Sequence, residues 1–160
     1  MLIIYEKILL GLDSSEDSKR AAEKVAELHN KLGSNIVVFH SVEHHMLPKI
    51  LPLNVPFMNL SYYTIPPVDR RKILEVYAKQ GQELLDQAEK MFSMKETPIE
   101  KRLIRDEKPG DYMIRIVEEE NFDLVVLGCK GQHSKIKQVL MGTVATKVLN
   151  NASCDVLIVR

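Results

Sequence analysis

A surplus of charge of either sign is missing from this chain: 22 Lys and Arg oppose 22 Asp and Glu, and the formal net charge is zero. No global field therefore draws it to nucleic acid or to an anionic bilayer, and any anion site has to be local. Cysteine is nearly absent. Cys129 and Cys154 have no metal-ligand company, so a reducing cytoplasm and reduced thiols are expected rather than a zinc site or a disulfide framework. A small-residue cleavage site is lacking near the N-terminus, where Glu6 and Lys7 interrupt a short apolar run that reads as a strand, not a signal peptide. No membrane span is expected either. The low-charge stretch from Met46 to Ile65 lies in a segment broken by Pro48, Pro52, Pro56, Pro66 and Pro67.

What is present suits one domain with one core: 160 residues, 45% of them hydrophobic. Tyr5 to Leu12 ends in the continuous apolar run Ile8-Leu9-Leu10-Gly11-Leu12, the pattern of a parallel strand covered on both faces. Ser14 and Ser15 offer an N-cap to a helix carrying Ala21, Ala22, Val25, Ala26 and Leu28 and ending at Gly33. Ile36 to His40 is a second buried strand, and an amphipathic helix is expected from about Tyr77 to Met94. Ile99 to Ile104 is a third, more polar strand, followed by a helix opened by Pro109-Gly110 and closed near Asn121. Asp123 to Leu127, a helix from about Thr143 to Asn150, and Asp155 to Val159 complete a βαβαβαβαβ pattern.

Such alternation requires right-handed crossovers and a mostly parallel sheet between two helical layers, an α/β three-layer sandwich. Ligands bind these sheets beyond the carboxyl ends of the strands, where the strand order reverses. With the order 3-2-1-4-5 the reversal falls between the first strand, followed by Asp13, and the fourth, followed by Gly128. Residues 43 to 68 fit least well. They are expected to form an irregular, proline-rich apolar insertion that packs on the body or on a partner subunit.

Gly128, Gly131 and the pair Gly142-Thr143 flank the turn from the fourth strand into the last helix. Without a Cβ these positions can take φ > 0 or let a ligand approach the main chain, and the helix start offers unpaired NH groups. An anion site is expected there. Phosphates should meet the NH groups around Gly128 to Lys130 and Gly142 and the Thr143 hydroxyl, with Lys130 able to neutralise charge, and Gly131 and Val144 are further nucleotide-binding candidates. Asp13 is placed to accept from ribose hydroxyls and not to meet phosphate, which Asp13, Glu16 and Asp17 would repel. Read blandly, Asp13 caps the first helix and Gly142-Thr143 starts the last. His40, His44 and His45 have no spacing that makes them zinc ligands, and Cys129 reads as an inert loop thiol despite Lys130 beside it.

These residues together resemble the universal stress proteins. Lys7 to Ser18 is similar to that family's first strand and loop, Pro109-Gly110 with Ile114 to Glu120 to its third helix, and Asp123 to Gly128 to its fourth strand. Gly128-x2-Gly131 followed by Gly142-Thr143 resembles the motif G-x2-G-x9-G-(S/T) of ATP-binding members, and Ser153 to Arg160 resembles the last strand. Two departures stand out. Ten residues, Gln132 to Met141, replace the nine between the second and third glycines, and Asp155 stands where many members have proline.

The resemblance implies a Rossmann-like sheet of five parallel strands in the order 3-2-1-4-5, as in the adenine nucleotide alpha hydrolase-like fold. It also implies a bound adenine nucleotide, ATP or else ADP or AMP, with Mg2+ or Mn2+ held through the phosphates. Adenine would lie near Ser41 and the Gly11-Leu12 backbone, against Leu127. The implied role is a cytoplasmic dimeric sensor or regulator. An enzyme, a slow ATPase or nucleotidyl transferase using the same pocket, is the second reading, with Lys130 and His133 as its candidate catalytic groups. A phosphoacceptor receiver domain is disfavoured because no lysine or helix follows the fifth strand. That strand, residues 155 to 159, is apolar on both faces yet lies at a sheet edge, so a homodimer formed by pairing it with its two-fold mate is expected.

Overall fold

The computed structural model describes residues 5–42, 50–53, 61–64, 66–92, 99–131 and 141–160. Five parallel strands form the main sheet: β1 (Lys7–Gly11), β2 (Asn35–Ser41), β5 (Glu100–Ile104), β6 (Leu124–Gly128) and β7 (Asp155–Val159). Their spatial order is β5-β2-β1-β6-β7. Counting only these strands, that is the expected 3-2-1-4-5. The register sets Ile8 beside both Ile36 and Leu124, and Leu10 beside both Val38 and Val126, so β1 is the central strand.

Alternate residues of each strand feed opposite layers. Ile8, Leu10, Val38 and Val126 pack with Ala21 and Val25 of α1 (Glu16–Leu32) and with Leu85 and Ala88 of α2 (Pro67–Phe92). Leu9, Val37, Phe39, Val125 and Leu127 face the other way, onto Met113, Ile116 and Val117 of α3 (Pro109–Glu120) and onto Ala145 and Val148 of α4 (Thr143–Asn151). Ile8, Leu9 and Leu10 are wholly buried. Each such side chain contributes about 1.5–3 kcal/mol relative to exposure, which is why an unbroken apolar run suits a strand covered on both faces.

Local signals set the helix ends. Ser15 caps α1 by accepting the Ser18 NH at 3.2 Å, and Gly33 at φ 73° ends it. Pro109 opens α3, and Asn121 at φ 53° closes it. Among the described residues no helix is long and apolar enough to cross a membrane.

Two expectations are corrected. Helix α2 starts at Pro67, well before Tyr77, because proline suits the first helical turn and the residues after it need no buried face. Asp69, Arg71, Lys72, Glu75 and Val76 are exposed there, so the apolar period begins only near Ala78. Its expected end at Met94 lies outside the described residues, as do 43–49 and 54–60 of the segment read as irregular. The rest of that segment includes an antiparallel pair, β3 (Ile50–Leu53) and β4 (Ser61–Thr64), with Pro52 opposite Tyr62. In a two-stranded ladder each strand has an open edge, where a proline nitrogen needs no partner.

At the amino end of the sheet, Glu120 accepts both Arg102 Nη1 at 2.7 Å and Arg102 Nη2 at 2.8 Å, and also Lys7 Nζ at 3.1 Å. The bidentate Arg102 contact, reinforced by Lys7, holds the Glu120 carboxyl down at about 2.

Candidate functional site

The strand order reverses between β1 and β6, and the segments leaving their carboxyl ends face each other there. Leu12, the first residue beyond β1, is tied at both backbone atoms. Its NH donates to Phe39 O at 2.9 Å, and its carbonyl accepts His40 Nδ1 at 2.8 Å. Because a carbonyl only accepts, Nδ1 carries the proton. Gly81 of α2 makes room for this imidazole: a Cβ there would lie 2.5 Å from His40 Cδ2.

Asp13 follows in a locked turn. Its NH donates to Ser18 Oγ and its Oδ1 accepts the Ser15 NH, both at 2.9 Å. The other oxygen, Oδ2, faces Gly131, where a Cβ would stand 3.0 Å from it. Asp13 therefore supports the entry to α1 with one oxygen and addresses the glycine turn with the other, while the N-cap itself is Ser15.

The glycines are needed for close approach, not for φ > 0. Among the described residues only Gly33 has a positive-φ glycine backbone. At Gly128 a Cβ would lie 2.7 Å from Ser18 N and 2.9 Å from Asp17 C, so this glycine lets the start of α1 rest on the end of β6. Gly11 likewise yields space to Met113 and Phe39. Gly142 sits under the turn, with a Cβ position 3.0 Å from Cys129 O.

Several expected phosphate donors already have partners inside the chain. Lys130 NH donates to Asp17 Oδ2 at 3.0 Å, and Gly142 NH donates to Cys129 O at 2.7 Å. Cys129 NH donates to Val159 O at 2.7 Å. Gly142 is the N-cap of α4 and supplies no side-chain acceptor. Donors in the first turn, Thr143, Val144 and Ala145, precede the first residue whose NH can close the helical ladder, Thr146 to Gly142 O. Thr143 is exposed at this end and Val144 is half-buried.

Ser41, at the end of β2, donates its hydroxyl to Glu107 O at 2.7 Å. Leu127 is buried in the layer under α3 and α4, and Cys129 is buried behind the turn. His133, like His44 and His45, lies outside the described residues. Among the described residues no group of three or more His, Cys, Asp or Glu side chains is placed to hold a metal ion.

A model of the universal stress protein family matches residues 4–160. The chain belongs to that family. One universal stress protein of Methanocaldococcus jannaschii is 25% identical over 159 residues, covering 98% of this chain and 83% of the relative. Universal stress protein UspA from Lactobacillus plantarum aligns with a TM-score of 0.78 at 21% identity, covering 99% of this chain and 100% of that one. Two further solved structures carry ligands in their descriptions. A universal stress protein in complex with cAMP has a TM-score of 0.63 at 21% identity, covering 99% and 98% of the two chains. That of Archaeoglobus fulgidus in complex with dAMP has 0.59 at 21% identity, covering 99% and 100%. At such identities the likeness establishes the fold.

In this universal stress protein Asp13 Oδ2 faces Gly131, and Gly142 at the start of α4 lies against Cys129, Lys130 and Gly131. Sequence reasoning missed His40 and Ser18, which hold Leu12 and Asp13 in place, and it read Asp17 only as a repulsive charge. A serine in the first turn after an N-cap serine was a signal for Ser18; His40 and Asp17 had none, because their partners lie in distant segments.

Proposed function

We propose that this universal stress protein binds an adenine nucleotide, ATP or else ADP or AMP, between the carboxyl ends of β1 and β6, and acts as a dimeric nucleotide-dependent sensor. The observation that carries the reading is the facing pair of Asp13 Oδ2 and Gly131, 3.0 Å from a Cβ position that glycine leaves empty. A carboxylate held by its neighbours and aimed at Gly131 suits a ribose diol, which donates two hydroxyl hydrogens. Phosphate would then reach the first turn of α4, at the Thr143 and Val144 NH groups and the Thr143 hydroxyl, with the Lys130 ammonium close by. Gly131 leaves room for that approach, while Gly128 and Gly142 let α1 and the Cys129 carbonyl pack closely beside it. The Gly11-Leu12 segment, Ser41 and Leu127 border the end proposed for adenine.

Relatives described in complex with cAMP and dAMP support the ligand class. Mg2+ or Mn2+ would enter with the nucleotide, held through its phosphates. The proposed dimer pairs β7 with its two-fold mate. β7 is a sheet edge whose Val156, Leu157, Ile158 and Val159 are all half-buried, so the pairing would cover apolar side chains and open backbone groups together. A cytoplasmic setting belongs to the same proposal.

Mass spectrometry of small molecules released from freshly purified, denatured protein tests the reading. Stoichiometric adenine nucleotide is expected, and its absence, together with no heat on titrating ATP, ADP and AMP, would overturn it.

A further inference from the structure

The carboxylate of Asp17 sits on a main-chain donor at the phosphate end of the crevice. Its Oδ2 accepts the Lys130 NH at 3.0 Å across 113 residues of sequence, and its side chain is only 18% exposed. Oδ1 has a second partner in Arg20 Nη1 at 3.5 Å, one helical turn along α1. Gly128 makes the contact possible, since any Cβ there would strike the Asp17 backbone and the Asp17 Cβ, at 2.9 and 3.0 Å. The turn therefore holds an anion supplied by the chain itself, within reach of the glycines read as the phosphate cradle.

We infer that Asp17 is a built-in competitor for the phosphate of the nucleotide, so that it sets how strongly the site distinguishes phosphorylated ligands from the bare nucleoside. This rests on the nucleotide reading above. A phosphate oxygen and the Asp17 carboxylate cannot share one NH, and two anions at hydrogen-bonding distance from the same donor repel each other. A phosphate seated on the first turn of α4 thus gains the Lys130 NH as well only when Asp17 leaves it. Arg20 gives the displaced carboxylate a partner without a move of α1, because one side-chain rotation exchanges an NH for a guanidinium. Adenosine, lacking phosphate, leaves the contact in place. Asp13 is not part of this competition, since its Oδ1 is bound to Ser15 NH and its Oδ2 faces Gly131.

Titration calorimetry of Asp17→Asn and Asp17→Ala against adenosine, AMP and ATP with magnesium tests the inference. Adenosine affinity should stay at the wild-type value, while AMP and ATP tighten by about tenfold in Asp17→Ala and by less in Asp17→Asn, the scale of one charge-assisted hydrogen bond. A positioning role for Asp17 predicts the opposite sign, with Ala weakening every ligand. An unchanged ratio of ATP to adenosine affinity in both variants, or weaker ATP binding, overturns the competition and leaves the nucleotide reading standing. Failure of all three ligands on wild type and variants alike overturns both. Asp17→Asn keeps the side-chain shape and an acceptor for Lys130, so it reports on charge even if the alanine variant does not fold.

Discussion

His40 donates its Nδ1 proton to the carbonyl of Leu12 at 2.8 Å, tying the end of β2 to the residue that presents Asp13. The ring lies against Gly81, where a Cβ would meet His40 Cδ2 at 2.5 Å and Leu103 Cδ1 at 2.8 Å. Replacing His40 with alanine removes the donor and leaves a gap under α2. We expect a loss of about 1–3 kcal/mol of stability by urea denaturation, together with weaker nucleotide binding. An unaltered affinity in a variant of reduced stability would show that Asp13 keeps its place without this strut.

Asp13→Ala should weaken adenine nucleotide by about 1–3 kcal/mol, the cost of losing charge-assisted bonds to ribose hydroxyls. Calorimetry against AMP and against its 2′,3′-dideoxy analogue separates the causes. The wild-type protein should prefer AMP, and the variant should lose that preference.

Two glycines of the same motif should behave differently. Gly131 is exposed, so Gly131→Val should abolish nucleotide binding while circular dichroism stays native, because its side chain would press on Asp13 Oδ2. Gly128→Ala should instead destabilise the fold by about 1–3 kcal/mol, since its methyl meets the unyielding backbone of α1 at 2.7 Å. Native stability in Gly128→Ala would show that α1 can shift to admit it.

The Glu120 carboxyl is held at about 2, chiefly by Arg102, below an ordinary value of 4.5. A depressed carboxyl contributes its stability above the unfolded value and loses it as pH falls through the folded one, here from about 4.5 to about 2. With Glu120 30% exposed, the contribution is about 1–2 kcal/mol after solvent screening. Thermal melts should show Glu120→Gln less stable than wild type near neutral pH, with the gap closing across that acid window. A gap independent of pH would assign the effect to packing.

Ile158→Lys places a charge on the apolar edge strand β7, where Ile158 is half-buried against the α3 and α4 layer. Monomers or insoluble protein are expected by multi-angle light scattering, against dimers for wild type. A wild-type monomer at micromolar concentration would remove the proposed interface.

Much of the fold was legible along the chain, because buried parallel strands have to be apolar on both faces. Ile8 to Leu10 and Val125 to Leu127 declared themselves for that reason, and Ser15, Gly33, Pro109 and Asn121 marked helix ends through local backbone chemistry. The first turns of α2 were illegible, since an exposed helix start carries no apolar period. The β3–β4 pair was hidden by prolines that a two-stranded ladder tolerates.

By itself the sequence determined the alternation of strands and helices, the family, and the meeting of Asp13 with the glycine turn, since strand order alone brings those two segments to one crevice. Only the tertiary structure decided why the glycines are there and which donors are engaged. Glycine permits both positive φ and close approach, and the choice at Gly128 depends on α1 lying against it. The bonds from Lys130 to Asp17 and from His40 to Leu12 likewise join residues 113 and 28 positions apart. No local pattern encodes such pairs, because each partner's environment exists only once the sheet has brought distant segments together.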